Sequence, residues 1–389
     1  MPKVNRHVLI WARVSAGLSE EQAARKLGLS GPERLKELET GKRDPSRRQL
    51  LNISETYRRP LLTFYMQTPP RESDRGQDFR TLPESDAPSS EALLNALLRD
   101  VYARQGLVRA ALEEAEEDEE LRFVGCAKIS NGVDALVETM QNALEFSPVD
   151  FRAQKTVSDA FAALRASTEK AGVFVLLMGN LGTSHSDIDP RVFRGFALSD
   201  PIAPFIVINE NDSRAAWSFT LLHELAHVFL GETGISGYDG ALESEKFCDA
   251  VAGRFLLDPA ELAVIGTQKT VSSDELIKKI GKFAADRKLS RKMVAYNLLR
   301  SDQITRTVYR ELSDLLDGER ITRKAKKKDK DSGGGPDYYK VRRHRMGPRL
   351  VNVVQRMVFN GSLSTTKAGK VLGVKPTAVH RLIEGSRVA

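Results

Sequence analysis

The fifteen residues from Trp217 to Gly231, WSFTLLHELAHVFLG, constrain the fold more than any other stretch of the chain. Apolar residues surround its two histidines on every side of a helical wheel, so the segment has no face for water and is expected as a helix inside a domain. His223 and His227 stand four residues apart, on one face of that helix, where both imidazoles can reach a single zinc ion. Glu224 follows the first histidine directly, a place from which a carboxylate can touch water at the metal without itself becoming a ligand. That placement suits a general base.

A third protein ligand is needed, and ALESEKFCDAVAGRFLLDP supplies two candidates, Glu243 and Glu245. Glu245 is favoured because Asp249 lies one helical turn on, where it can accept the free ring N–H of a ligating histidine and fix its tautomer. Glu243 has Phe247 at the corresponding place and lacks that support. Cys248 reads as an apolar core position. The chemistry implied is hydrolysis of a peptide bond, Glu224 taking a proton from the water and passing it to the leaving amine. Tyr238 and His185 are the candidate stabilisers of the tetrahedral oxyanion, neither placed by spacing.

With 389 residues the chain is too long for one core, and an α+β, mostly helical organisation is expected. Residues 1–70 read as a small helical domain in which Ser19 and Gln22 form a capping box, and 71–125 as a linker with a helical connector. Residues 126–265 hold short β-branched and aromatic runs, Val173 to Leu177, Gly195 to Leu198 and Phe205 to Asn209, that suit a small sheet ahead of the HELAH helix. A helical module at 266–318 follows, then a basic, glycine-rich linker at 319–340, then a second helical module at 341–389. No apolar run is long enough to cross a bilayer, and the two cysteines, Cys126 and Cys248, imply no disulfide framework. A reducing cytoplasm is the expected compartment. The net charge of +7 permits contact with nucleic acid without demanding it.

The stretches FRGFALSDPIAPFIVINENDSRAAWSFTLLHELAHVFLG and EKFCDAVAGRFLLDP resemble the strands, active-site helix and third-ligand helix of the ImmA/IrrE family of zinc metallopeptidases. Asp249 stands where the family more often has asparagine, and either can accept a histidine N–H. LIWARVSAGLSEEQAARKLGLS, LKELETGKRDPSRRQL, YRRPLLTFYMQTPP and DFRTLP are similar to the XRE-type helix-turn-helix, expected here as five helices, that is often fused ahead of this peptidase. In such a domain the helix from Pro32 to Thr40 would enter the major groove, with Arg34, Lys36, Lys42 and Arg43, and beside them Arg47 and Arg48, contacting DNA. Glu33, Glu37 and Glu39 on the same helix oppose the phosphate field. Segments 274–300 and 349–383 also have helix-turn-helix character, the latter in the spacing of Ala368, Gly373 and Val379.

The resemblance implies an intracellular zinc endopeptidase with a zincin-like core that cleaves a repressor or antitoxin-like protein, in stress response, mobile-element control or a toxin–antitoxin locus. DNA through the N-terminal module and pairing into a homodimer are the further partners it implies. The alternative is a DNA-binding transcriptional regulator or antitoxin whose peptidase fold serves partner binding rather than proteolysis. A third reading is autoproteolysis within the exposed 320–336 linker.

Overall fold

A computed structural model describes residues 3–70, 77–78, 88–183, 186–236, 243–265, 273–330 and 337–384. At the N-terminus, helices α1 (Arg6–Ser15), α2 (Glu20–Lys26), α3 (Pro32–Thr40) and α4 (Arg47–Thr56) enclose Leu9, Leu35, Ile53, Tyr57 and Phe64. Reciprocal capping boxes, Ser19 with Gln22 and Ser46 with Gln49, start α2 and α4. The fifth helix expected here is a single 3-10 turn, Leu61–Tyr65, entered through Pro60.

A two-residue strand β1 (Gln77–Asp78) precedes the long helix α5 (Pro88–Glu114). Helices α6 (Val133–Leu144), α7 (Pro148–Arg152) and α8 (Val157–Lys170) lead into strands β2 (Phe174–Leu177), β3 (Gly195–Leu198) and β4 (Phe205–Ile208). Helix α9 (Arg214–Leu230), strand β5 (Gly234–Ser236) and helix α10 (Glu243–Leu256) follow. The chain ends in α11 (Ser273–Asp286), α12 (Arg291–Arg300), α13 (Arg306–Lys330), α14 (Tyr338–Met346), α15 (Pro348–Phe359), α16 (Thr365–Leu372) and α17 (Val379–Glu384).

The five strands form one sheet in the order β1-β5-β3-β4-β2. β2 runs parallel to β4, and β3 is antiparallel to both β4 and β5. β2, β3 and β4 are buried at every position, which is why FVLL and FIVI are continuously apolar rather than alternating. The period of two sorts their side chains onto two cores. Val175, Leu177, Ala197, Ile206 and Ile208 face a core shared with α6 to α12. Phe174, Leu176, Phe196, Leu198, Phe205 and Val207 face a second core shared with α5 and α14 to α17.

Two features depart from the expected organisation. Residues 341–389 were expected as a module beyond a linker; their described part is instead the outer layer of the sheet, with Met346, Leu350, Val354 and Met357 packed beside Phe174 and Phe205. The basic run from 319 is helical to Lys330, because its lysines and alanine are good helix formers and no glycine or proline interrupts them. Its backbone is therefore not the open chain that autoproteolysis within 320–336 would need; residues 331–336 of that stretch lie outside the described ones.

A buried ion pair staples the outer layer to the sheet. Arg165 on α8 bonds Glu169 at 2.9 Å, donates to the carbonyl of Val175 on β2, and donates to the carbonyl of His344 at 2.7 Å. Glu169 in turn accepts the backbone N–H of Arg349 at 2.9 Å. Replacing one partner leaves the other charge buried and unmatched, so Arg165→Leu is expected to cost about 3–5 kcal/mol in urea unfolding, and Arg165→Leu with Glu169→Leu clearly less. Equal losses for the single and double variants would refute the staple.

Candidate metal centre

Helix α9 ends at Gly231, whose φ of 73° is the left-handed conformation that closes a helix without a Cβ clash. Its last carbonyls are satisfied from outside: the N–H of Gly125 donates to Val228 at 3.1 Å and that of Ala127 to Phe229 at 2.9 Å. Helix α10 lies along α9. Their contact brings together three residues that the sequence places 18 or more positions apart on one side and four on the other: His223, His227 and Glu245.

The ring Nε2 atoms of His223 and His227 are 3.2 Å apart. Glu245 places Oε1 2.8 Å from His227 Nε2 and Oε2 3.4 Å from His223 Nε2. All three side chains are buried, and their ligand atoms lie within 4.8 Å of one another. Two imidazole nitrogens and a carboxylate oxygen converging on one point form the donor set of a zinc site with one position open, so the residues present fit that ion. Glu245 lies at this point and Glu243 is exposed.

The outer ring nitrogens are held as well. His223 Nδ1 lies 3.0 Å from Asp249 Oδ1, one turn along α10 from Glu245. His227 Nδ1 lies 3.0 Å from Glu232 Oε2. Glu232 is placed to accept the His227 Nδ1–H, and Asp249 sets its negative charge beside His223 Nδ1, an arrangement that turns both Nε2 atoms to the cluster. Glu232 escapes sequence reasoning based on helical spacing, because it sits past the helix end. The left-handed Gly231 folds the chain back so that Glu232 N–H donates to His227 O at 2.9 Å, and its side chain then meets the ring. A carboxylate directly after a terminating glycine was the available signal.

Glu224 is fully buried beside β3. A Cβ at Gly195 would fall 2.6 Å from Glu224 Oε1 and 2.7 Å from Thr220 Cγ2, so only glycine lets this carboxylate lie against the strand. Gly195 opens β3, where it pairs with Ile208 of β4 and Ser236 of β5. The sheet thereby forms the wall behind the carboxylate.

Charges in the cluster compensate one another. Burial pushes the His223 proton off, but the bonds to Asp249 and Glu245 outweigh it and raise its pKa well above the ordinary imidazole value. His227 is likewise raised against its burial, by contacts with Cys248, Glu232 and Glu245. Burial raises the Glu245 carboxyl, yet hydrogen bonds from His223 and His227 bring it down to about 2. A cation is favoured here, whether proton or metal.

Tyr238 and His185 lie outside the described residues. On the N-terminal module, two of the candidate DNA contacts are engaged with neighbouring acids. Arg34 bonds Glu37, and Lys36 sits 3.3 Å from Glu33 and 3.4 Å from Glu20. Glu39 points inward to a bidentate pair with Arg13, at 2.7 and 3.1 Å. Lys42, Arg43, Arg47 and Arg48 are exposed around the α3–α4 turn.

Residues 169–299 match the family model described as the IrrE N-terminal-like domain, a peptidase family, and residues 9–64 match a helix-turn-helix model. The first match contains the whole metal cluster. No curated protein and no solved structure matches the chain. Among the described residues, no helix is long and apolar enough to cross a membrane.

Both imidazole pKa values are raised in the folded chain, so without metal their contribution to stability is full below about pH 6.5 and is lost as pH rises through the raised values. Metal must displace those protons. The rise in melting temperature on adding zinc is therefore expected to grow from about pH 6 to about pH 9, with proton release visible by calorimetry in buffers of different ionisation enthalpy. Asp249→Ala and Glu232→Ala should each weaken zinc binding by about 10- to 100-fold. Zinc binding that is independent of pH would contradict this account of the cluster.

Proposed function

We propose, from the premise that the chain is a fusion of a helix-turn-helix domain with an IrrE N-terminal-like domain, that it is an intracellular zinc endopeptidase cleaving a regulatory protein. A repressor or an antitoxin-like partner is the substrate class, and stress response, mobile-element control or a toxin–antitoxin system the setting. The observation that carries the reading is the convergence of His223, His227 and Glu245 from two packed helices, with Glu224 buried one residue from the first histidine.

His223, His227 and Glu245 would hold the metal, which when bound supplies a Lewis acid that polarises a peptide carbonyl and acidifies water. The remaining work belongs to the chain. Asp249 and Glu232 keep the imidazoles in the tautomer that presents Nε2. Glu224 takes the proton of the attacking water and delivers it to the leaving amine. Gly195 keeps the Glu224 carboxylate against β3, and the apolar surroundings of α9 keep bulk water from competing for its proton. The helix-turn-helix would bring the peptidase to DNA or to a DNA-bound substrate.

Glu224→Gln should retain zinc and lower cleavage by about 10²- to 10⁴-fold. Enrichment of protein N-termini from cells making either form is expected to reveal termini present only with the unsubstituted chain. Gly195→Ala should retain zinc and lower turnover by at least about tenfold through displacement of Glu224. The helix-turn-helix match favours one other reading, a DNA-binding regulator that uses the peptidase fold to capture a partner. Regulation that survives Glu224→Gln intact, with no terminus lost, would select it.

A further inference from the structure

Helices α16 and α17 are joined by Gly373, Val374 and Lys375 and a 3-10 turn, Pro376–Ala378, that the metal centre does not use. Ser364 caps α16, accepting from Lys367 N at 3.3 Å, and Gly373 ends it at φ 62°. A Cβ at Gly369 would lie 2.8 Å from the carbonyl of Val374, so the pair is close enough to exclude any side chain at that position. Ala368, Val379 and Leu382 are fully buried beneath the turn. The N-terminal module repeats this device: Ala24 is buried on α2, and Gly28 follows four residues later at φ 68°. Gly369 and Gly373 have the same separation, and α15 supplies the third helix against which both elements pack.

The charge on this unit is one-sided. Residues 337–384 contain ten lysines and arginines and two carboxylates, Asp337 and Glu384, whereas residues 6–65 contain twelve against seven. Several of the ten are committed internally: Arg342 donates to Leu372 O at 2.8 Å, Arg345 pairs with Glu210 and Arg356 with Glu117, both at 2.7 Å. Lys367 and Lys370 on α16, Lys375 in the turn and Arg381 on α17 are exposed. Thr377 and His380 are exposed beside them. Arg381 stacks over the ring of Tyr339 at 4.4 Å, which orders its guanidinium while leaving its edge to donate. The metal centre belongs to the core on the opposite face of the sheet.

We infer that α16, its turn and α17 form a second helix-turn-helix whose outer face binds double-stranded DNA. Lys367 and Lys370 contact phosphates, and the segment from Lys375 to Arg381 enters the major groove, with Thr377 and His380 at base edges. The unit is held rigidly on the sheet by Arg165 and Glu169, so DNA bound there is fixed in orientation relative to the peptidase core.

The test uses the full chain and a fluorescein-labelled duplex of mixed sequence, about 24 base pairs long, followed by anisotropy across a salt series. Lys375→Ala with Arg381→Ala should weaken binding by about tenfold or more and flatten the log–log salt slope by about two. The thermal melt should change little, since Lys375 is exposed and Arg381 gives up only a surface stacking contact with Tyr339. Selection from a randomised duplex library should enrich a motif that Thr377→Ala with His380→Ala erases. No binding by the unsubstituted chain, binding and slope unaffected by the Lys375 and Arg381 changes, or equal or tighter binding of single-stranded RNA would each overturn the assignment. None of these readouts depends on peptidase activity.

Discussion

Glu245 is buried where two helices touch, and its carboxylate must be matched by positive charge. Taking an ionised carboxylate out of water costs several kcal/mol even after relaxation, and at the α9–α10 contact His223 and His227 offset that cost by meeting both its oxygens. The rest of the centre follows from that demand. Imidazoles that present Nε2 inward need acceptors outward, which Asp249 and Glu232 supply. The apolar helix that carries both imidazoles is buried against the sheet, α8 and α10.

The sheet serves as the common wall for two cores of different purpose. Its inner face backs the histidine helix, and at Gly195 the backbone approaches Glu224 more closely than any side chain would allow. Its outer face carries α5 and the C-terminal helices. Arg165 and Glu169 join the two sides through β2, so the outer layer is tied to the core that holds His223, His227 and Glu245.

Two small helical units of related construction lie at opposite ends of the chain and carry charge differently. The N-terminal one neutralises Arg34 and Lys36 with acids of its own and turns Glu39 inward to Arg13. The C-terminal one neutralises its buried arginines with carbonyls and acids from other elements, and leaves lysines on its outer face. An exposed charge that already has an ion-pair partner offers less to a phosphate than one that does not.

Local patterns in the sequence determined the elements. The Ser19–Gln22 capping box, the apolar runs of β2 to β4 and the all-round apolar HELAH helix fall where periodicity and composition place them, because those signals are set by neighbours a few residues away. His223 with His227, and Glu245 with Asp249, were legible as pairs for the same reason, each being one helical turn apart, while the α9–α10 contact joins the two pairs. Tertiary structure alone decided that Glu232 returns to His227, since a left-handed turn breaks the helical period. It alone placed Gly195 behind Glu224, and made the C-terminal helices a layer of the sheet, because contacts between residues far apart in the chain leave no periodic trace along it.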